Sequence, residues 1–151
     1  MHMQTQFSVF LVNKPGVLAQ VTAALAKAKV NIMALTLVDS MEHGVLRLVC
    51  HDAAAARKVL GQAHDRWTET DVLVMELENR PGSFSHVAER LAEEHINISY
   101  AYSTGGGQGG KTTAVFKVAD MKKAAALMEQ MEKAGHKEPR ALKTPRSRKA
   151  K

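Results

Sequence analysis

Residues 13–32 read NKPGVLAQVTAALAKAKVNI, and residues 79–98 read NRPGSFSHVAERLAEEHINI. Laid over each other at an offset of 66 they align without a gap. Asn13 falls on Asn79, Pro15 on Pro81, Gly16 on Gly82, Leu25 on Leu91, and Asn31-Ile32 on Asn97-Ile98. A duplication of this length marks two copies of one supersecondary unit.

Working outward, both copies carry the same signals in the same order. Phe7 to Val12 is an apolar, β-branched and aromatic run, and Val72 to Glu78 alternates with period two, so each reads as a strand. The Asn-x-Pro-Gly turns follow. Val17, Leu18, Val21, Leu25 and Ala28 recur at helical spacing, as do Phe84, Val87, Leu91 and Ala92, giving each copy a helix with one buried stripe. Second strands are expected over Ile32 to Val38 and Ile98 to Ser103, third strands over Gly44 to Cys50 and Thr112 to Val118. Asp52 and Asp120 stand where helix caps belong, before helices over Ala53 to Gln62 and Met121 to Ala134. A short strand near Arg66 to Thr70 closes the first copy, and a weaker signal over His136 to Leu142 closes the second. The order is βαββαβ, twice: an α+β chain of two ferredoxin-like modules, each an antiparallel sheet with helices on one face. Joining edge to edge, or packing helix face on helix face, would protect their strand edges. The expected divisions are residues 5–70, 71–137 and a tail, 138–151.

Composition bounds the rest. At 151 residues and 45% hydrophobic the chain can bury a core without staples. Cys50, the single cysteine, excludes an intramolecular disulfide and a cysteine-built zinc site. No run reaches the roughly 18 apolar residues of a spanning helix, and Met1 to Gln6 lacks the features of a signal peptide. A cytoplasmic protein without a membrane partner is the expectation. The net charge is +6, and the tail alone carries +5, six cations against Glu138. The remainder is close to neutral, so the basic pI belongs to a tail whose composition is that of a disordered segment. That tail has charge for phosphate contacts but no aromatic residue to stack on bases, and a solvated tail is favoured over a nucleic-acid contact.

The strand, the Asn-x-Pro-Gly turn, the helix and the Asn-Ile opening of the next strand resemble the ACT domain, a small regulatory module that binds amino acids. The resemblance spans about residues 5 to 137 in two copies and is nearest to stand-alone tandem ACT proteins. It implies a ligand site where modules meet, formed by the turn before the first helix and the start of the second strand. Carried onto this sequence, the first-copy positions are Asn13, Pro15, Gly16, Val17, Leu18, Asn31 and Ile32. The second-copy positions are Asn79, Pro81, Gly82, Ser83, Phe84, Asn97 and Ile98. Backbone N–H groups at a helix start suit a carboxylate, and an Asn side chain both donates and accepts. Some amino-acid-binding members have a histidine two residues before the first Asn. Leu11 and Leu77 stand there in this chain and imply a more apolar wall. Against a ligand role, Asn at a helix start is often a cap, and before a strand often a turn residue.

Other motifs carry less. Residues 105–112, GGGQGGKT, satisfy the P-loop pattern, but a P-loop must open a helix and Thr112 to Val118 alternates as a strand. The seven histidines show no i, i+4 pair with a carboxylate partner, so no metal site is expected. His86, beside the second turn, is the one placed to touch a ligand. Met121, Met128 and Met131 lie at helical spacing and read as packing. No nucleophile has a base in a recognisable arrangement, so neither catalysis nor a cofactor is expected. The sequence therefore points to a non-catalytic regulatory protein for a small amino acid, expected as a homodimer and acting on an unidentified enzyme partner. The alternative is a regulatory subunit or interaction module of a biosynthetic enzyme, similar to the acetolactate synthase small subunit, without a ligand of its own. Such subunits carry one ACT copy followed by a different domain, whereas this chain repeats the copy.

Overall fold

The computed structural model describes residues 2–40, 43–63, 66–107 and 109–134. Their order is β1 (His2–Val12), α1 (Val17–Lys27), β2 (Ile32–Ser40), β3 (His43–Cys50), α2 (Ala53–Ala63), β4 (Trp67–Glu78), α3 (Ser83–Glu93), β5 (Ile98–Gly105), β6 (Lys111–Val118) and α4 (Met121–Lys133). Every expected helix is present to within a residue or two. The Asp52 carboxylate accepts from Ala55 N–H at 3.0 Å, and that of Asp120 from Lys123 N–H at 2.9 Å, so both act as caps. The expected closing strand over 136–142 and the tail lie outside the described residues.

The copies join edge to edge in one antiparallel sheet of order β2-β3-β1-β4-β6-β5, the tandem ferredoxin-like arrangement. Two strands differ from the sequence reading. The segments expected as separate strands on either side of residue 71 form a single strand, β4, because Asp71, with no Gly or Pro beside it, is held in the ladder by its partner Thr5. β1 begins at His2 rather than Phe7, since the polar stretch His2–Gln6 finds a partner in β4. That pairing runs from His2 opposite Val74 to Val9 opposite Trp67, with Thr5 opposite Asp71. Thr5 and Asp71 are also related by the repeat offset of 66, so the pseudo-twofold relating the copies passes through this pair. The first half of β4 thus lies beside the second half of β1, and the first half of β1 lies in the equivalent place beside Val72–Val74. Each copy's first strand is flanked by a segment leading into the other's.

Alternation along β1 and β4 puts Phe7, Val9, Leu11 and Trp67, then Leu73, Met75 and Leu77, on one face. The first group packs with Val21 and Leu25 of α1 and Ala56 and Leu60 of α2. The second packs with Val87 and Leu91 of α3 and Leu127 and Met128 of α4. All four helices therefore cover the same face, in two separate cores.

The opposite face is concave. Its cluster draws Ala34 from β2, Val49 from β3, Val72 and Val74 from β4 and Val115 from β6, with Tyr102 of β5 packed against it. β1 and β5 are three strand spacings apart, about 14 Å in a flat sheet. Yet the Gln6 side chain spans the gap. Its Nε2 donates to the Tyr100 hydroxyl at 2.7 Å, and its Oε1 accepts from the Tyr102 hydroxyl at 2.9 Å. The Arg47 guanidinium of β3, four spacings away, lies 4.3 Å from the Tyr100 ring centroid. The sheet curls until its outer strands β2 and β5 touch. Gln6, the one polar residue among the described residues buried with this apolar set, has both ends of its amide satisfied.

Candidate functional site

The two Asn-x-Pro-Gly turns are built alike. Val17 N–H reaches Lys14 O at 3.4 Å and Gln20 N–H reaches Gly16 O at 3.0 Å; Ser83 to Arg80 O at 3.3 Å and His86 to Gly82 O at 2.9 Å repeat the pattern. Gly16 (φ 87°) and Gly82 (φ 88°) hold the N-cap positions of α1 and α3. A Cβ on either would meet nothing within 4 Å, so the left-handed backbone, not close approach, is what calls for glycine. Neither helix has a side-chain cap. Asn13 and Asn79 are therefore not capping residues.

The two asparagines differ. Asn79 Nδ2 donates to Gly106 O at 3.0 Å and Gly107 O at 3.2 Å, and its N–H donates to Gly110 O at 2.9 Å. It pins the glycine-rich hairpin. Asn13 has no side-chain hydrogen bond among the described residues and lines a cavity of about 290 Å³ with Lys14, Val17, Leu18, Val38 and Asp39. At the second turn Phe84 stacks on Phe116, ring centroids 5.1 Å apart.

Because β1 and β4 are antiparallel, the two turns lie at opposite ends of the sheet. Asn31-Ile32 and Asn97-Ile98 lie at the far ends of α1 and α3 from the turns, about 16 Å along eleven-residue helices. The turn and the strand start of one copy thus do not converge. Both strand starts carry a bulge, between Ile32 and Ala34 and between Ile98 and Tyr100. They enter the concave face near the pseudo-twofold, where Met33 and Ala34 join the cluster of Tyr102 and Val115. His51 N–H donates to Asn31 O and Ala119 N–H to Asn97 O, both at 3.0 Å, and in the first copy Asn31 N–H also donates to His51 Nδ1 at 2.9 Å, a bond that Ala119 cannot offer.

The larger cavity, about 550 Å³, opens beside the second turn, between α3, α4 and the end of β4. Its floor is Met75, Leu77, Val87, Met128 and Met131; its rim carries Arg80, Ser83, His86, Arg90 and Glu132, while Glu76 and Glu78, at its edge in the strand, alternate toward the opposite face. Both charge signs thus stand over an apolar base. Of the expected ligand residues, Ser83 lines it, and His86 does as well. The sequence reading missed Arg80 and Arg90. Their signal is only their place flanking the turn or one helical turn beyond it, as expected of surface charges too. On this side of the first copy Trp67 packs over Phe7, centroids 5.7 Å apart.

Burial pushes the Cys50 thiol up to about 11, so it is a core residue with little thiolate. Burial also raises Tyr102, with Tyr100 adding to the shift and Arg47 opposing it. Lys111 opens strand β6, and its Nζ lies 3.2 Å from Glu76 Oε2, so the glycine-rich pattern lacks the helix start that a phosphate loop needs. Among the described residues no three His, Cys, Asp or Glu side chains cluster to hold a metal ion, and no helix is long and apolar enough to cross a membrane.

Comparison with known proteins agrees with this architecture. Residues 1–138 match the family model described as an ACT domain pair. Over 86% of this chain and 89% of the other, the structure superposes with protein BT0572 of Bacteroides thetaiotaomicron at 31% identity and a TM-score of 0.77. The ligand-free regulatory subunit of aspartate kinase from Thermus thermophilus covers 87% of this chain and 93% of its own at 12% identity, TM-score 0.65. The regulatory subunit of aspartate kinase from Thermus flavus covers 88% of this chain and 94% of its own at 15% identity, TM-score 0.56. At these identities the two subunits share the fold alone. A search of curated proteins finds no match. The chain belongs to the ACT domain pair family.

Proposed function

We propose that this ACT domain pair is a non-catalytic regulatory protein that binds a small amino acid and acts as a homodimer. The observation that carries the reading is the cavity at the second Asn-Arg-Pro-Gly turn, an apolar base beneath a rim of both charges. A free amino acid presents a carboxylate, an ammonium and a side chain within a few ångströms. Arg80 and the N–H groups at the start of α3 suit the first, Glu132 of α4 the second, and the methionine-rich floor an apolar side chain. Its volume lies within the range of small-molecule sites. The turn Asn13 to Leu18 offers a smaller second site. The strand starts, Asn31-Ile32 and Asn97-Ile98, serve in this reading where copies or protomers meet. Ligand alters a partner only to the extent that it binds two packing states unequally.

A thermal-shift panel of the twenty amino acids on the purified chain tests the reading. Ligand at 100 times its dissociation constant adds about 2.7 kcal/mol, a shift of several degrees. Arg80→Ala and Ser83→Ala should abolish it if the second-turn cavity is the site, and Asn13→Ala if the first turn is. A flat panel refutes the sensor reading. It would favour the second one, a regulatory subunit that works through protein contacts, which the shared fold with aspartate kinase regulatory subunits supports. Co-purification with a biosynthetic kinase or synthase would then be the measurement.

A further inference from the structure

The repeat shows what covers the corner of the larger cavity in the first copy. There the chain that follows α2 returns along β1. Phe10 N–H donates to Arg66 O at 3.1 Å, and Trp67, opposite Val9, packs on the core beneath α1 and α2. At the offset of 66, Val9 and Phe10 fall on Met75 and Glu76, a floor and an edge residue of the cavity. The second copy differs at this corner. The ladder between β1 and β4 ends at His2 opposite Val74, so among the described residues 75–78 are paired on one side only, with β6. What closes the corner in the first copy is the link after its second helix. The equivalent link in the second copy is the chain beyond Ala134.

We infer that residues 135–142, which lie beyond the described ones, dock in this cavity and that a ligand entering it must displace them. Three observations select this occupant. Ala134 itself lines the cavity, so the segment starts at the rim. At about 3.3 Å per residue, Leu142 has a reach of about 26 Å from there, enough to cross the floor. The charges match as well. The Arg80 side chain on the rim has no ion pair or hydrogen bond among the described residues, and Glu138 is the one acid in residues 135–151. An arginine and a carboxylate form the stronger class of hydrogen bond. Leu142 is the one large apolar side chain in residues 135–151, and the floor of three methionines, Leu77 and Val87 is apolar throughout. Methionine side chains adapt to the shape of such a guest. Beyond Leu142 every charged residue is a cation, so nothing further suits the floor.

Tethering at the rim makes the docking intramolecular. The effective concentration of a short linked segment is on the order of millimolar, so one ion pair and one leucine suffice where a separate peptide would not bind. The docking does not rest on the amino-acid reading above. Where both hold, segment and ligand compete for one place, and the apparent affinity of the ligand falls by the fraction of open cavities.

The test uses the full chain with a nitroxide on residue 144 (Thr144→Cys); Cys50 is buried and stays unlabelled. The methionine methyl resonances report on it. Those of Met75 and Met128 on the floor should broaden, and that of Met33 on the opposite face should not. Glu138→Lys with Leu142→Ser in the labelled chain should restore most of the lost intensity; neither residue belongs to a helix-facing core. In the unlabelled chain Leu142→Ser should shift the Met75 and Met128 signals. Floor signals indifferent to the label and to Leu142→Ser overturn the inference, also if added leucine moves them, since the cavity then belongs to a ligand alone. Broadening that fades on dilution overturns it too, because the segment then reaches a neighbouring chain. Leucine in excess that relieves the broadening upholds the competition. Broadening that persists against all twenty amino acids upholds the docking and counts against the sensor reading alone.

Discussion

Gln6→Ala should be among the most costly single changes in the chain, although the residue belongs to neither helix-facing core. Gln6 is fully buried and holds two tyrosine hydroxyls of β5 across the concave face. Removing its amide deletes two hydrogen bonds, each worth about 1 kcal/mol net. It also empties roughly 50 Å³, at about 24 cal/mol per Å³ of residual cavity, for about 1 kcal/mol more. Tyr100 and Tyr102 are only partly buried, so water can satisfy their hydroxyls and the full desolvation penalty does not apply. The expected loss is about 3 kcal/mol, or about 10 °C in the thermal midpoint of a domain of this size. Urea unfolding followed by circular dichroism measures it, with the m-value unchanged if the unfolded state is unaffected. Pairing Gln6→Ala with Tyr102→Phe in a double-mutant cycle should return a coupling of about 1 kcal/mol. A loss below about 1 kcal/mol together with zero coupling would refute the claim that this knot holds the curled sheet closed.

The remaining predictions concern backbone and thiol. Lys29 (φ 58°) and His95 (φ 55°) end α1 and α3 in the left-handed region, at equivalent positions of the repeat. Lys29→Gly and His95→Gly should each stabilise by about 0.5 to 1 kcal/mol in thermal unfolding, as relief of left-handed strain outweighs glycine's extra entropy. Gly16→Ala and Gly82→Ala should do the reverse, each costing about 1 to 2 kcal/mol, because φ near 88° strains any L side chain whatever the open space around it. The Cys50 thiol, raised to about 11, should react with a disulfide reagent at pH 8 far more slowly than in urea, and the native rate should keep climbing above about pH 10, where an ordinary thiol has levelled off. Equal rates in the two states would show that Cys50 is accessible.

Periodic patterns made most of the fold legible. Stripes such as Val21-Leu25 and Val87-Leu91, the Asp52 and Asp120 caps and the alternation in β6 all depend on near neighbours in the chain, which a sequence displays. What escaped depends on distant partners. His2–Gln6 is polar and gives no strand signal; it is a strand because Val72–Val74 offers it a ladder. The curl of the sheet was equally hidden, since it rests on the meeting of Gln6 with tyrosines more than ninety residues away. The site was partly legible. The Asn-x-Pro-Gly turns are where they were expected, but their identical local geometry conceals that Asn79 is bound to the glycine-rich hairpin. The charges around the second cavity look in sequence like any solvated face.

The passage of the pseudo-twofold through Thr5 and Asp71 has a consequence for how the molecule holds together. Each half borrows a strand segment from the other, as two exchanged subunits would, but with the exit strand of one half running on into the entry strand of the next. The association step of such a pair has become intramolecular, with a linker of no length. The closure of the two halves on each other should therefore be independent of protein concentration. A scission at residue 71 would give fragments that must find each other in solution before either has a complete sheet.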